Sequence, residues 1–247
     1  MSKKPRVLVV DGDVLFYRAA FSGQEKISFG EEDVILTDLE KAVSKFDSLV
    51  KDIIGGRGFN QIIVAQSDSL HNFRKDIYPE YKAHRNAFEK PALLEDVKKY
   101  AAYKYNVVEK LRIEADDVLG IYATDPNIDA VIWSIDKDLM QIPGSHLVNG
   151  NVISVSKEDG ELFFFKQVLT GDRVDNYKGC PGIGPKKADK ILDGDIGSAW
   201  QRIVETYEKV RLTEEDALIQ ARVARILRHG EYRDKTGKVK LWDPNRK

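Results

Sequence analysis

The chain has 247 residues, 42% of them hydrophobic, with 39 Lys and Arg against 40 Asp and Glu for a formal net charge of −1. That is enough apolar material for one large α/β domain or a domain with a small appendage, and the charge balance neither selects nor excludes nucleic acid, so local patterning decides. A single cysteine, Cys180, excludes a disulfide framework or cysteine-rich zinc site within the chain. The apolar run in MSKKPRVLVVDGD is too short for a signal peptide, and no segment nears the ~20 apolar residues of a membrane span, so a cytoplasmic protein without membrane contact is expected.

In chain order, Val7 to Val10 read as a buried strand ending at Asp11-Gly12, and Val14 to Phe21 as a helix. Thr37 is expected to cap a second helix with Glu40 completing a capping box; Val43, Phe46, Leu49, Val50, Ile53 and Ile54 mark its buried face, and Gly55-Gly56 end it. Gln61 to Gln66 form a strand running into Ser67-Asp68, and Ala130 to Ile135 a strand running into Asp136-Lys137-Asp138, with a helix over Ala115 to Thr124 between them. His146 to Ser156 is a hairpin around Asn149-Gly150. After Glu161 the chain is mainly helical, with a frayed tail from Arg233 onward. Strands alternating with helices predict a mostly parallel sheet, whose ligands bind outside the carboxyl ends of the strands.

Nine acids fall at or just after such ends: Asp11, Asp68, Glu114, Asp116, Asp117, Asp136, Asp138, Asp172 and Asp175. Singly, a solvated Asp is the commoner explanation, and the helix dipole alone accounts for Glu114, Asp116 and Asp117. Jointly, the carboxylates repel unless cations neutralise them, and clustered oxygen ligands favour Mg2+ or Mn2+. Asp136 and Asp138 alternate along an extended segment, and Asp172 and Asp175 share a face if GDRVDN opens a helix, so two ions can be served. His71, His84, His146 and His229 lack paired ligand spacing and read as surface or substrate-contacting residues.

Between the second strand and EADD, Arg74, Lys75, Lys82, His84, Arg85 and Lys90 alternate with Phe73, Tyr78, Tyr81 and Phe88, a mixture suited to phosphates and unstacked bases. A charged helix with its aromatics in the core is the rival reading. NYKGCPGIGPKKADKIL places Gly179, Gly182 and Gly184 in a tight turn between two short helices, where backbone amides with Lys186 and Lys187 can hold a DNA phosphate. Cys180 in that turn reads as a small packing residue.

Taken in order, LVVDGDVLFYRA, FRKDIYPEYKAHR, EADD, SIDKDLMQI and GDRVDNYKGCPGIGPKKA resemble the 5′-nuclease or flap-endonuclease family, above all its bacteriophage members and the 5′-nuclease domain of bacterial DNA polymerase I. The resemblance implies a PIN-like α/β core over residues 1–160 with a helical arch at about 70–105. It further implies a helical DNA-binding region over 161–247 with a helix-hairpin-helix at about 177–192. It implies flap endonuclease and 5′-to-3′ exonuclease action on DNA flaps and on duplex with a free 5′ end, with RNA primers a further substrate class. The implied cofactors are two or more Mg2+, replaceable by Mn2+, and K+ at the helix-hairpin-helix.

By motif position, Asp11, Asp68, Glu114, Asp116 and Asp117 are implied as the tighter metal site and Asp136, Asp138, Asp172 and Asp175 as the second. Asp11, Asp68, Glu114, Asp116, Asp136 and Asp138 would be catalytic together with Lys82, the gateway lysine near the scissile phosphate. Arg74, Lys75 and Arg85 would contact the 5′ strand, Tyr81 would stack on a terminal base, and Gly182, Gly184, Lys186 and Lys187 would hold duplex. Asp13 departs from the small hydroxyl-bearing residue usual in the family. The short C-terminal region leaves no polymerase domain, so a stand-alone monomeric nuclease, phage-encoded and acting in the host cytoplasm, is expected. Two other readings stand beside it: a haloacid-dehalogenase-type phosphatase, whose D-x-D motif VVDGDV imitates, and a catalytically inactive branched-DNA-binding protein.

Overall fold

The computed structural model describes residues 4–30, 32–84 and 89–245. Strand β1 (Arg6–Asp11) leads directly into helix α1 (Gly12–Ser22), because Asp11 accepts a hydrogen bond from Val14 N and so caps the helix it precedes. A hairpin the sequence reading passed over follows, β2 (Gln24–Phe29) and β3 (Glu32–Thr37), paired antiparallel. Val34, Ile35 and Leu36 stay exposed on it, so it lacks the buried face whose alternation announces a strand. Helix α2 (Leu39–Ile54) is capped by Asp38, which accepts from Lys41 N, rather than by Thr37, which closes β3. Gly55 ends it in the left-handed conformation, as expected.

β4 (Gln61–Gln66), α3 (Phe73–Ile77), α4 (Leu94–Lys104), β5 (Val107–Glu109), α5 (Ala115–Ala123) and β6 (Asp129–Trp133) come next. A short 3-10 helix (Lys137–Gln141) then leads to β7 (Gly144–Val148) and β8 (Asn151–Val155). The main sheet has the order β5-β4-β1-β6-β7-β8, parallel except for the edge pair β7–β8. That pair is the expected hairpin, with both Asn149 and Gly150 at positive φ. β1 alternates between the sheet's two faces: Leu8 and Val10 join Phe16, Phe46 and Val97, whereas Val7 and Val9 join Val118 and Leu119. Each such buried side chain contributes about 1.5–3 kcal/mol.

α4 buries Val97 and Ala101 in the first of these clusters. It is therefore a core helix rather than part of an arch. Arg85 and Phe88 lie outside the described residues.

The C-terminal helices are α6 (Lys157–Thr170), α7 (Pro185–Leu192), α8 (Ala199–Glu208) and α9 (Glu214–Ala224). Ser156 caps α6 by accepting from Asp159 N, so the boundary expected at 160/161 falls inside a helix. The four pack around Phe164, Phe165, Ile203 and Tyr207. Ile226 and Leu227 cross back beneath α5, stitching the helical region to the sheet. The tail forms a hairpin, β9 (Tyr232–Arg233) with β10 (Lys238–Val239), instead of fraying. Trp242 anchors it against Trp200 and Phe164, with ring centroids 4.8 and 5.3 Å away.

Candidate active site

The carboxyl ends of β1, β4 and β6 meet along one sheet edge. Asp11 is buried at the end of β1, and its Oδ2 accepts from the Ser134 hydroxyl at 2.7 Å. The Ser134 oxygen in turn accepts from Asp136 N at 3.0 Å. Asp136 is not part of an extended run with Asp138; it caps the 3-10 helix, accepting from Asp138 N at 2.8 Å. Asp172 and Asp175 likewise share a turn, closed by the bridge between Asp172 and Tyr177, so the helix on which their shared face was conditional is not formed. The Asp172 side chain accepts from Val174 N and Asp175 N, and that satisfies the turn without helical hydrogen bonds.

The acids form two groups. Burial, aided by Asp13 and Asp136, raises the Asp11 carboxyl to about 6. Burial and the charges of Asp11, Glu114 and Asp136 push Asp116 well above the carboxylate range. In the second group, burial with Asp136, Asp172 and Asp175 raises Asp138 to about 7. Glu114 behaves oppositely: against the cost of burial, Lys82 and Arg74 hold it down at about 2. Among the described residues no three His, Cys, Asp or Glu side chains are already gathered so as to hold a metal ion. The donor set nonetheless fits divalent ions, since it is all oxygen and its members hold one another's protons on for want of positive charge.

Lys82 lies across the two groups. Its Nζ is 2.5 Å from Glu114 Oε1 and 3.4 Å from Asp175 Oδ2. Tyr81 OH spans the same pair, 2.8 Å from Glu114 Oε2 and 2.9 Å from Asp175 Oδ2.

Four expected roles change. Asp117 is fully buried and pairs with Arg74 through both oxygens, while Oδ1 also accepts from Leu227 N, so it has no oxygen left for a metal. Arg74, 2% exposed, also donates to the Val223 and Arg225 carbonyls, which takes it away from any passing 5′ strand. Tyr81, 3% exposed with its hydroxyl on two carboxylates, cannot stack on a terminal base in this conformation. Asp68 clamps a loop: it accepts from Leu70 N, His71 N and Arg112 N, and those bonds hold it below the usual carboxylate range despite burial.

It is Ser67, just past the end of β4, that meets the acids, its N donating to Asp13 Oδ1 at 3.4 Å and its side chain also hydrogen-bonded to Asp13. Asp13, left without a role in the sequence reading, joins the site, and Ser67 and Ser134 were missed as its members. The available signal was their position next to acids at strand ends.

Lys75 is exposed on α3, as a phosphate contact requires. The glycine turn is exposed at Gly182 and Gly184, with Lys186 exposed and Lys187 Nζ donating to Gly182 O at 2.9 Å. Gly182 has φ +76, and a Cβ there would meet nothing within 4 Å, so the turn is open on that side. Only α7 among the expected two short helices is present; the chain enters the turn from the 172–177 loop. Cys180 is the expected packing residue, its buried thiol pushed up. Of the histidines, His146 is buried against the Ile142 carbonyl, where a surface position was expected.

The family described as 5′-3′ exonuclease, N-terminal resolvase-like domain, matches residues 6–169. The exodeoxyribonuclease of Enterobacteria phage T3 is 27% identical over 287 residues, covering 96% of this chain and 93% of the phage protein. The exonuclease of Escherichia phage T7 is 28% identical with the same coverage. Among solved structures, the flap endonuclease of phage T5 in complex with DNA and metal ions superposes with a TM-score of 0.63 at 19% identity, over 89% of this chain and 88% of that one. The phosphatase and inactive-protein readings find no support in these likenesses, and Asp11, buried and capping α1, is poorly placed as a phosphatase nucleophile.

Proposed function

The chain belongs to the 5′-3′ exonuclease family, and from that premise we propose that it is a structure-specific 5′ nuclease acting as a monomer on 5′ flaps and free 5′ ends of DNA by two-metal-ion hydrolysis. The observation that carries this is the pair of carboxylate groups at one sheet edge, Asp11, Asp13, Glu114, Asp116 and Asp136 beside Asp138, Asp172 and Asp175, bridged by Lys82.

These residues would hold Mg2+, with Mn2+ able to replace it. When bound, such ions assist in-line attack of water at phosphorus and offset charge on the phosphate oxygens. The chain's own groups do the rest. Ser134 orients Asp11 by donating to Oδ2, and Asp136 orients Ser134. Lys82, once it leaves Glu114, supplies positive charge to the scissile phosphate. Lys75 engages the 5′ strand, and the Gly182–Gly184 turn with Lys186 and Lys187 engages the duplex backbone, where K+ would complete the phosphate contact. Contacts of this kind ignore base sequence, so annealed RNA primers fall within the same substrate class.

The test is a flap labelled in turn at its 5′ and 3′ ends, incubated with Mg2+ and with EDTA. Products cut near the junction only with Mg2+ support the reading; products released only from the 3′ end, or phosphatase activity without DNA cleavage, overturn it.

A further inference from the structure

Lys82 and Tyr81 do more than line the site: they tie it shut. Lys82 Nζ bridges Glu114 and Asp175, and Tyr81 OH bridges the same two carboxylates. Two further bonds follow, Lys82 N to Asp175 O at 2.9 Å and the Asn176 side-chain Nδ2 to Glu80 O at 2.7 Å. All six contacts connect the 80–82 segment to the turn that carries Asp175 or to the cap of α5. Lys82 also sits at φ +53 and Asn176 at φ +59, left-handed positions that non-glycine residues adopt when surrounding bonds hold them.

One hydroxyl has one proton, so Tyr81 cannot donate fully to two carboxylates. The ammonium beside it supplies the positive charge that lets Glu114 and Asp175 approach. That is the service a divalent cation would render to the same oxygens, with twice the charge. Ammonium and cation therefore compete for Glu114 and Asp175.

We propose that Tyr81 is a positioning residue for Lys82, and that the two form a latch which a divalent cation opens, releasing Lys82 from Glu114 and Asp175 toward the substrate phosphate. The proposal rests on the nuclease reading in that the same carboxylates take the cation. It assigns the lysine two successive positions, counter-ion before the cation arrives and phosphate contact afterwards.

The latch is read without DNA. Lys82 precedes Ala83, so trypsin cuts after Lys82 only when that side chain leaves the carboxylates; Lys209, exposed at the end of α8 and outside the latch, serves as the reference cut. Binding of Mn2+ to the full chain is followed separately by the paramagnetic resonance of free Mn2+. Saturating Mn2+ is expected to speed cleavage at Lys82 relative to Lys209 by about tenfold for each tenfold preference of the ion for the open form. Tyr81→Phe, which keeps the ring and loses the hydroxyl, is expected to raise the same cleavage without Mn2+. Unchanged or slower cleavage at Lys82 with Mn2+ bound, or wild-type protection in Tyr81→Phe, overturns the latch alone. Failure of the chain to bind Mn2+ at all removes both the latch and the nuclease reading.

Discussion

Arg74 and Asp117 face each other as a two-point ion pair out of water, Nη1 to Oδ2 and Nη2 to Oδ1 both at 2.7 Å. The pair joins α3 to the start of α5, and Arg74 continues to the Val223 and Arg225 carbonyls, so the start of the gateway segment, the acidic helix cap and the C-terminal region share one buried guanidinium. Asp117→Ala removes both of those bonds and leaves Arg74 buried with Glu114 as its remaining carboxylate partner, and breaking such a pair costs about 3–5 kcal/mol. The expected outcome is a melting temperature lower by on the order of 10 °C, with Mn2+ affinity of the folded protein unchanged. Thermal unfolding beside Mn2+ titration checks it; an intact melting temperature with lost Mn2+ binding would return Asp117 to the metal ligands.

The carboxyls of Asp11, at about 6, and Asp138, at about 7, predict how the cation-free protein responds to pH. Below the ordinary carboxylate pKa both are neutral whether folded or not, and they cost nothing. As pH rises through about 4 to 7 they ionise more readily in the unfolded chain, so folding loses stability over that window. Glu114, held near 2, works the other way: its contribution is present above its ordinary pKa and is lost as pH falls toward 2. The cation-free protein should therefore melt several degrees higher at about pH 5 than at about pH 8, and excess Mg2+ should shrink that difference. Melting curves with EDTA and with Mg2+ decide it.

Asp13 shares this crowding, since its charge is the first to act on Asp11 after burial. Asp13→Asn keeps the acceptor for Ser67 N and removes the repulsion. The variant should melt higher than wild type in EDTA at neutral pH and bind Mn2+ more weakly. A lower melting temperature with unchanged Mn2+ affinity would make Asp13 a structural acceptor only.

Gly182 tests the duplex contact apart from the chemistry. Alanine there meets no neighbour but must hold φ +76, a strain of about 1–2 kcal/mol. Gly182→Ala should weaken duplex binding while the rate of cleavage on bound substrate holds. Fluorescence anisotropy with flap DNA in Ca2+, beside single-turnover cleavage, separates the two.

Much of the fold was legible because buried strands and strand ends carry local signals. Leu8 and Val10 alternate with Val7 and Val9 between two cores, and Asp11 follows without a break. The β2–β3 hairpin was not legible, as strands exposed on both faces have no apolar period to read. At the site, residue type and position pointed to acids that the structure brings to one sheet edge, but direction required the neighbours. Asp68 and Ser67 are adjacent just past β4, and their partners separate them: Ser67 bonds to Asp13, whereas Asp68 accepts from Arg112 N. Arg74 and Tyr81 looked like DNA contacts because cations beside aromatics suit nucleic acid. Long-range partners, Asp117 43 residues from Arg74 and Asp175 94 residues from Tyr81, draw both inward instead.

The most direct test of the account is single-turnover cleavage of a 5′-flap DNA by wild type and Asp136→Ala in Mg2+, with DNA binding measured in parallel in Ca2+. Asp136 caps the 3-10 helix and lies between the two carboxylate groups, acting on Asp11, Asp116 and Asp138. The account predicts that wild type cuts near the flap junction and that Asp136→Ala binds the flap comparably but does not cut. Cleavage by Asp136→Ala at the wild-type rate, or no cleavage by wild type in Mg2+, would contradict it.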